Sequence, residues 1–127
     1  MIVGVDFDGT LVVHSYPEIG EADHDMLRIV KHLKGSGHHL ILITNREGKE
    51  LLEAVEWCRV HGIEFDAVND NLPRIQESWR INTRKIYCDL FIDDKAIHVD
   101  DFKRRFAKKS PILFRWGMNW QGLSVLE

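Results

Sequence analysis

Short β-branched apolar runs alternate along the chain with longer stretches in which apolar residues recur every three or four positions. Ile2-Val3-Gly4-Val5 is too short for a helix and ends at acidic residues and a glycine, the pattern of a buried strand opening onto a loop. Leu40-Ile41-Leu42-Ile43 has the same character and ends at Thr44-Asn45, and Leu90-Phe91-Ile92 ends at Asp93-Asp94. Phe65-Asp66-Ala67-Val68 and Ile112-Leu113-Phe114 are weaker strand signals. Between the first two strands Met26, Leu27, Ile29, Val30 and Leu33 fall at helical spacing, with Asp23 or Asp25 as N-cap and Gly35 past the end. Leu51, Leu52, Val55 and Cys58 predict a second helix, begun by Glu47 and Glu50 and stopped at Gly62. Strands alternating with helices predict an α/β fold, a mainly parallel sheet with helices on both faces. The polar stretch from Asn71 to Arg84, interrupted by Pro73, predicts no definite element.

Length and composition narrow this picture. A chain of 127 residues has room for one domain, 1–127, and none for a second lobe. With 44% hydrophobic and 29% charged residues it belongs with ordinary globular proteins, and a net charge of -3 gives no global pull toward nucleic acid or membrane. Cys58 and Cys88 are the two cysteines, far apart and outside any CxxC or Cys/His spacing, which argues against a disulfide framework and a structural zinc site. The first residues lack the basic and apolar regions of a signal peptide, and no segment approaches the ~20 apolar residues of a membrane span. The expected setting is the cytoplasm, with no membrane partner.

The candidate chemistry lies where the strands end. Asp6 and Asp8 follow the first run, Thr44 and Asn45 the second, Asp93 and Asp94 the third, and ligands of open α/β sheets bind outside the carboxyl ends of strands. If these strands are neighbours, the carboxylates converge on one small volume, where like charges raise one another's pKa values unless a cation is present. Every candidate ligand is a hard oxygen, which selects Mg²⁺ over zinc or copper.

The segment Asp6-Phe7-Asp8-Gly9-Thr10 has the form DxDG[TV] and, with Thr44 after a hydrophobic strand, a lysine ahead of the third acidic strand end and the pair Asp93-Asp94, resembles the haloacid dehalogenase (HAD) superfamily of phosphohydrolases over residues 2 to 98. The resemblance implies a Rossmann-like domain and an Mg²⁺-dependent phosphatase that hydrolyses a phosphomonoester through an aspartyl phosphate. Asp6 is then the nucleophile, and Asp8 the acid that protonates the leaving alcohol and later the base that accepts a proton from water. Gly9 permits the sharp turn, and the Thr44 hydroxyl with nearby amides holds the phosphoryl oxygens. Asn45, Arg46 and His14 are expected at the substrate. The metal ligands are expected to be the Asp6 carboxylate, the Asp8 carbonyl and Asp93, with Asp94 nearby, directly or through water. Lys85 is the preferred charge-neutralising lysine, with Lys95 and Arg74 as alternatives.

Substrate selection in this superfamily usually rests on an inserted cap. The intervals 11–43 and 45–84, filled by the predicted helices and a short strand, leave no space for a cap domain. An open site suits either a small or a macromolecular phosphorylated substrate, or a homo-oligomer in which a neighbour excludes water. Lys103, Arg104, Arg105, Lys108 and Lys109 crowd into one short window; a solvated helix face is the favoured reading, a nucleic-acid backbone patch the alternative. A 3′-phosphatase of nucleic-acid ends and a catalytically silent binding module on the same fold are the competing functions. A response-regulator receiver domain is disfavoured, because its acidic pair follows the first strand and its phosphorylated aspartate the third.

Overall fold

A computed structural model describes residues 1–109, without the side chains of 108 and 109, so the expected strand at 112–114 and the last two basic side chains of the window lie outside the described residues. Its elements are β1 (Ile2–Val5), α1 (His24–Gly35), β2 (His39–Leu42), α2 (Gly48–Val60), β3 (Ala67–Val68), α3 (Pro73–Trp79), β4 (Leu90–Ile92) and α4 (Val99–Lys109). The described residues divide into two compact units, Met1–Asp94 and those from Lys95 onward. All four strands lie in the first.

The sheet is parallel throughout, in the order β3-β2-β1-β4. Val3, Val5, Leu40 and Leu42 point to one face, where they are fully buried with Leu27 and Val30 of α1 and Ala54 and Cys58 of α2. Ile2 and Ile41 point to the other, against Leu72, Ile75 of α3, Ile86 and Cys88. The period-2 alternation of the strands thus assigns each residue to a helical layer, and each fully buried Val, Leu or Ile contributes roughly 1.5–3 kcal/mol. Gly4 is the close-approach point of the second face: a Cβ there would stand 2.6 Å from Cδ1 of Ile43 and 2.9 Å from Sγ of Cys88.

Asp23 caps α1 as expected, its side chain accepting from the Met26 amide at 3.0 Å. The strand expected at Phe65–Val68 is shorter, Ala67–Val68. Phe65 turns into the core, and Asp66 bonds the flank of β2 with both backbone and side chain: its amide donates to the Leu40 carbonyl and its carboxylate accepts from the Leu40 amide, each at 2.8 Å. The undefined stretch after Asn71 contains α3, which Pro73 opens and Arg80, with φ 57°, closes. Buried Asn71 holds the rest of it. Its side-chain nitrogen donates to Asn82 and to Thr83, and its side-chain oxygen accepts from the Tyr87 amide at 2.7 Å.

Candidate active site

Chain order fixes where the sheet opens. From β1 the chain winds outward to β2 and β3, then returns to the far side of β1 as β4, so the winding reverses between β1 and β4. That reversal leaves a crevice beyond the carboxyl ends of these two strands. Asp6 follows β1 with its amide donating to the Ile92 carbonyl at 3.0 Å, and Asp93 and Asp94 follow β4 directly. Carboxylate oxygens of Asp6, Asp93 and Asp94 all lie within 4.8 Å of one another.

Three carboxylates so close are mutually unfavourable. The Asp6 pKa is pushed up from 3.8 to about 6, chiefly by burial, then by the charges of Asp93 and Asp94 and a hydrogen bond with Asp94; a hydrogen bond from the Phe7 backbone opposes the rise. The strongest charges acting on Asp6 are therefore acidic, and Lys85 is not among them. An all-oxygen donor set of this density suits a hard divalent cation, and its composition matches Mg²⁺ chemistry better than that of zinc or copper.

The turn after Asp6 is built around Gly9. Its φ of 85° is unfavourable for other residues, and a Cβ would stand 2.2 Å from Oδ2 of Asp94, so a side chain here would collide with the acidic cluster. Amides of Thr10 and Leu11 close the turn on the Phe7 carbonyl at 3.1 and 2.9 Å. The Thr10 hydroxyl, buried, donates to Asp6 at 3.4 Å, a contact the sequence reading did not assign. The chain then runs out through Val13 and returns at Glu21, whose carbonyl accepts from the Val13 amide at 2.8 Å. His14 is exposed on this loop.

Thr44 extends β2 at the same end of the sheet. Its amide donates to the Asn69 side chain at 2.8 Å, and its hydroxyl oxygen accepts from the Arg46 amide at 3.1 Å, which leaves the hydroxyl proton to donate elsewhere. Asn69, in the left-handed region at φ 49°, is a second residue the sequence reading missed; its only signal was its position directly after a strand. Asn45 is exposed.

Arg46 departs from expectation. Among the described residues it is the largest fully buried side chain, and its guanidinium is bound within the protein instead of facing a substrate. Nε and one terminal nitrogen donate to the two Asp8 oxygens at 2.7 and 2.8 Å, a bidentate pair in which the Arg46 side chain is 1% exposed and that of Asp8 14%. Burial costs the cation hydration, but the Asp8 bonds outweigh it and raise the Arg46 pKa above its already high value. Lys85 is exposed on the wall of a different cavity, of about 380 Å³, lined also by Trp79, Tyr87, Cys88 and Phe91. The structure thus brings Asp6, Asp93 and Asp94 together and joins Asp8 to Arg46, whereas His14, Asn45 and Lys85 are exposed.

No protein-family model and no curated protein matches the sequence. Among solved structures, that of a conserved protein coded by a locus of Bacteroides thetaiotaomicron is similar over nearly its whole length. The two chains are 36% identical across 97% of this one and 96% of the other, with a TM-score of 0.68.

Proposed function

This chain belongs to the same family as the conserved Bacteroides thetaiotaomicron protein, and from that starting point we propose that it is an Mg²⁺-dependent phosphatase that hydrolyses a phosphomonoester through an aspartyl phosphate on Asp6. The observation that carries the reading is the convergence of Asp6, Asp93 and Asp94 within 4.8 Å at the reversal point of a parallel sheet, with Thr44 just past the end of the neighbouring strand. The Asp6, Asp93 and Asp94 carboxylates and the Asp8 carbonyl would hold the ion. Bound Mg²⁺ would supply positive charge that keeps Asp6 ionised and offsets the charge of the phosphoryl oxygens.

The remaining work falls to the chain itself. A carboxylate oxygen of Asp6 bonds to phosphorus as the ester oxygen departs, and Asp8 delivers a proton to that oxygen. Water then attacks phosphorus and gives a proton to Asp8. The bond between phosphorus and Asp6 breaks, inorganic phosphate leaves and both carboxyl groups return to their starting states. Thr44, whose hydroxyl proton is free of the Arg46 contact, donates to a phosphoryl oxygen. Lys85 lies on the wall of a separate cavity, so in this reading the counter-charge to Asp6 would be the bound cation.

Both cysteines are free thiols, which suits the proposed cytoplasmic setting, and no helix among the described residues is long and apolar enough to cross a membrane. In α4 the exposed basic residues Lys103, Arg104 and Arg105 share their helix with Asp100 and Asp101, and Arg104 pairs with Asp101. That internal pairing favours a solvated face over a polyanion site. The test is phosphate release from sugar phosphates, nucleotides and phosphorylated oligonucleotides, with and without Mg²⁺. Mg²⁺-dependent release that Asp6→Asn abolishes is expected. No release from any class would contradict the proposal and favour a silent binding module.

A further inference from the structure

A buried arginine has to satisfy five N–H donors, and in this chain Arg46 satisfies all of them internally. Nε bonds Asp8 Oδ2; one terminal nitrogen bonds Asp8 Oδ1 and the Glu18 carbonyl, both at 2.8 Å; the other bonds the carbonyls of Pro17 at 3.2 Å and Glu50 at 3.4 Å. The planar group also lies between the rings of Phe7 and Tyr16, 5.1 and 5.2 Å from their centroids. No donor is left for a substrate phosphate. Removing a guanidinium from water is costly, and apolar residues of similar volume commonly stabilise such a place at least as well. What an apolar residue cannot do is fix a carboxylate in one plane by two parallel bonds.

We propose that Arg46 is the positioning residue of the reaction: it fixes the orientation of the Asp8 carboxylate relative to Asp6 and ties it to the loop at Pro17 and Glu18. The inference rests on the phosphatase reading. In the first step Asp8 carries a proton on one oxygen while the other accepts from Arg46, passes that proton to the departing oxygen, and becomes the carboxylate that the two parallel bonds seen here hold. In the second step the same carboxylate must face the attacking water to take its proton. Held by Arg46, it has one orientation for that transfer; without Arg46 it is free to rotate about both side-chain bonds. The Pro17 and Glu18 carbonyls make the exposed loop part of the same framework, so motion of the loop and of Asp8 is coupled through one side chain.

The test is a double-mutant cycle between Arg46→Met and Asp8→Asn, with phenyl phosphate and 4-nitrophenyl phosphate as substrates in saturating Mg²⁺. Arg46→Met is expected to lower kcat on phenyl phosphate by about 10²-fold, the low end for general acid–base catalysis, with KM little changed and a smaller loss on the better leaving group. In the Asp8→Asn background it should cost nothing further. A purely structural arginine would leave kcat intact in protein that melts cooperatively, or would reduce it by the same factor in both backgrounds; either result overturns the inference. If Arg46→Met does not fold, Arg46→Lys serves in the same cycle, because it keeps the charge and loses the fork. An active wild type with a multiplicative Arg46 loss defeats this inference alone, whereas a wild type inactive on every phosphomonoester defeats the phosphatase reading and the inference with it.

Discussion

Asp6→Asn replaces a carboxylate by an amide of the same shape, and in the metal-free protein this change is expected to stabilise the fold. The Asp6 pKa is about 6 when folded, against an ordinary value of 3.8, so the folded state holds a proton more tightly than the unfolded chain. Stability linked to this group is therefore fully present below the unfolded value and is lost as pH rises through the folded one, across a window of roughly pH 4 to 6. At 1.36 kcal/mol per unit the full shift corresponds to about 3 kcal/mol at neutral pH. Asp6 is itself only half-buried and Asp93 and Asp94 are exposed, so solvent screening reduces this to about 1–1.5 kcal/mol. For a domain of this size that is a rise in Tm of roughly 3–8 °C. The assay is thermal denaturation of both proteins in chelator between pH 4 and pH 8. The variant should melt higher at pH 7, the gap should close towards pH 4, and saturating Mg²⁺ should raise the wild type far more than the variant. A variant no more stable than wild type at pH 7, or a gap independent of pH, would refute the electrostatic reasoning.

Three further predictions follow from the same geometry. Asp93→Ala should weaken Mg²⁺ binding at least tenfold by calorimetry, because one of three clustered carboxylates is lost; unchanged affinity would remove Asp93 from the metal site. Lys85→Ala should leave kcat/KM within a few-fold of wild type, because Lys85 lies on the wall of a separate cavity; a severe defect would place its ammonium at the phosphoryl group. Turnover of a phosphorylated oligonucleotide and of a small aryl phosphate should depend similarly on salt, since Arg104 is already paired with Asp101; a salt slope of several units confined to the oligonucleotide would establish a nucleic-acid surface.

The strands and helices that the sequence made legible are those whose side chains meet only one demand, burial. Val3 and Val5 against Ile2, and Leu40 and Leu42 against Ile41, are sorted by alternation alone, and the strand ends then deliver Asp6, Thr44 and Asp93 to one edge of the sheet. The segment after Asn71 was not legible because a polar knot organises it: a single buried Asn bonds Asn82, Thr83 and Tyr87, and no periodicity announces such a centre. Arg46 failed for a related reason. An arginine four residues past a strand end reads equally well as a phosphate ligand or as an internal partner, and the choice depends on whether a carboxylate from the turn after another strand lies within reach. Asp8 does, 38 residues away in sequence.

The covalent step can be examined directly by acid-quenching the enzyme during turnover of a phosphomonoester in Mg²⁺ and mapping any phosphoryl adduct by mass spectrometry. The account predicts an adduct on the peptide carrying Asp6, increased in Asp8→Asn if water attack slows more than transfer, and absent from Asp6→Asn, which should show no turnover. Full turnover by Asp6→Asn, or an adduct on another residue, would contradict it.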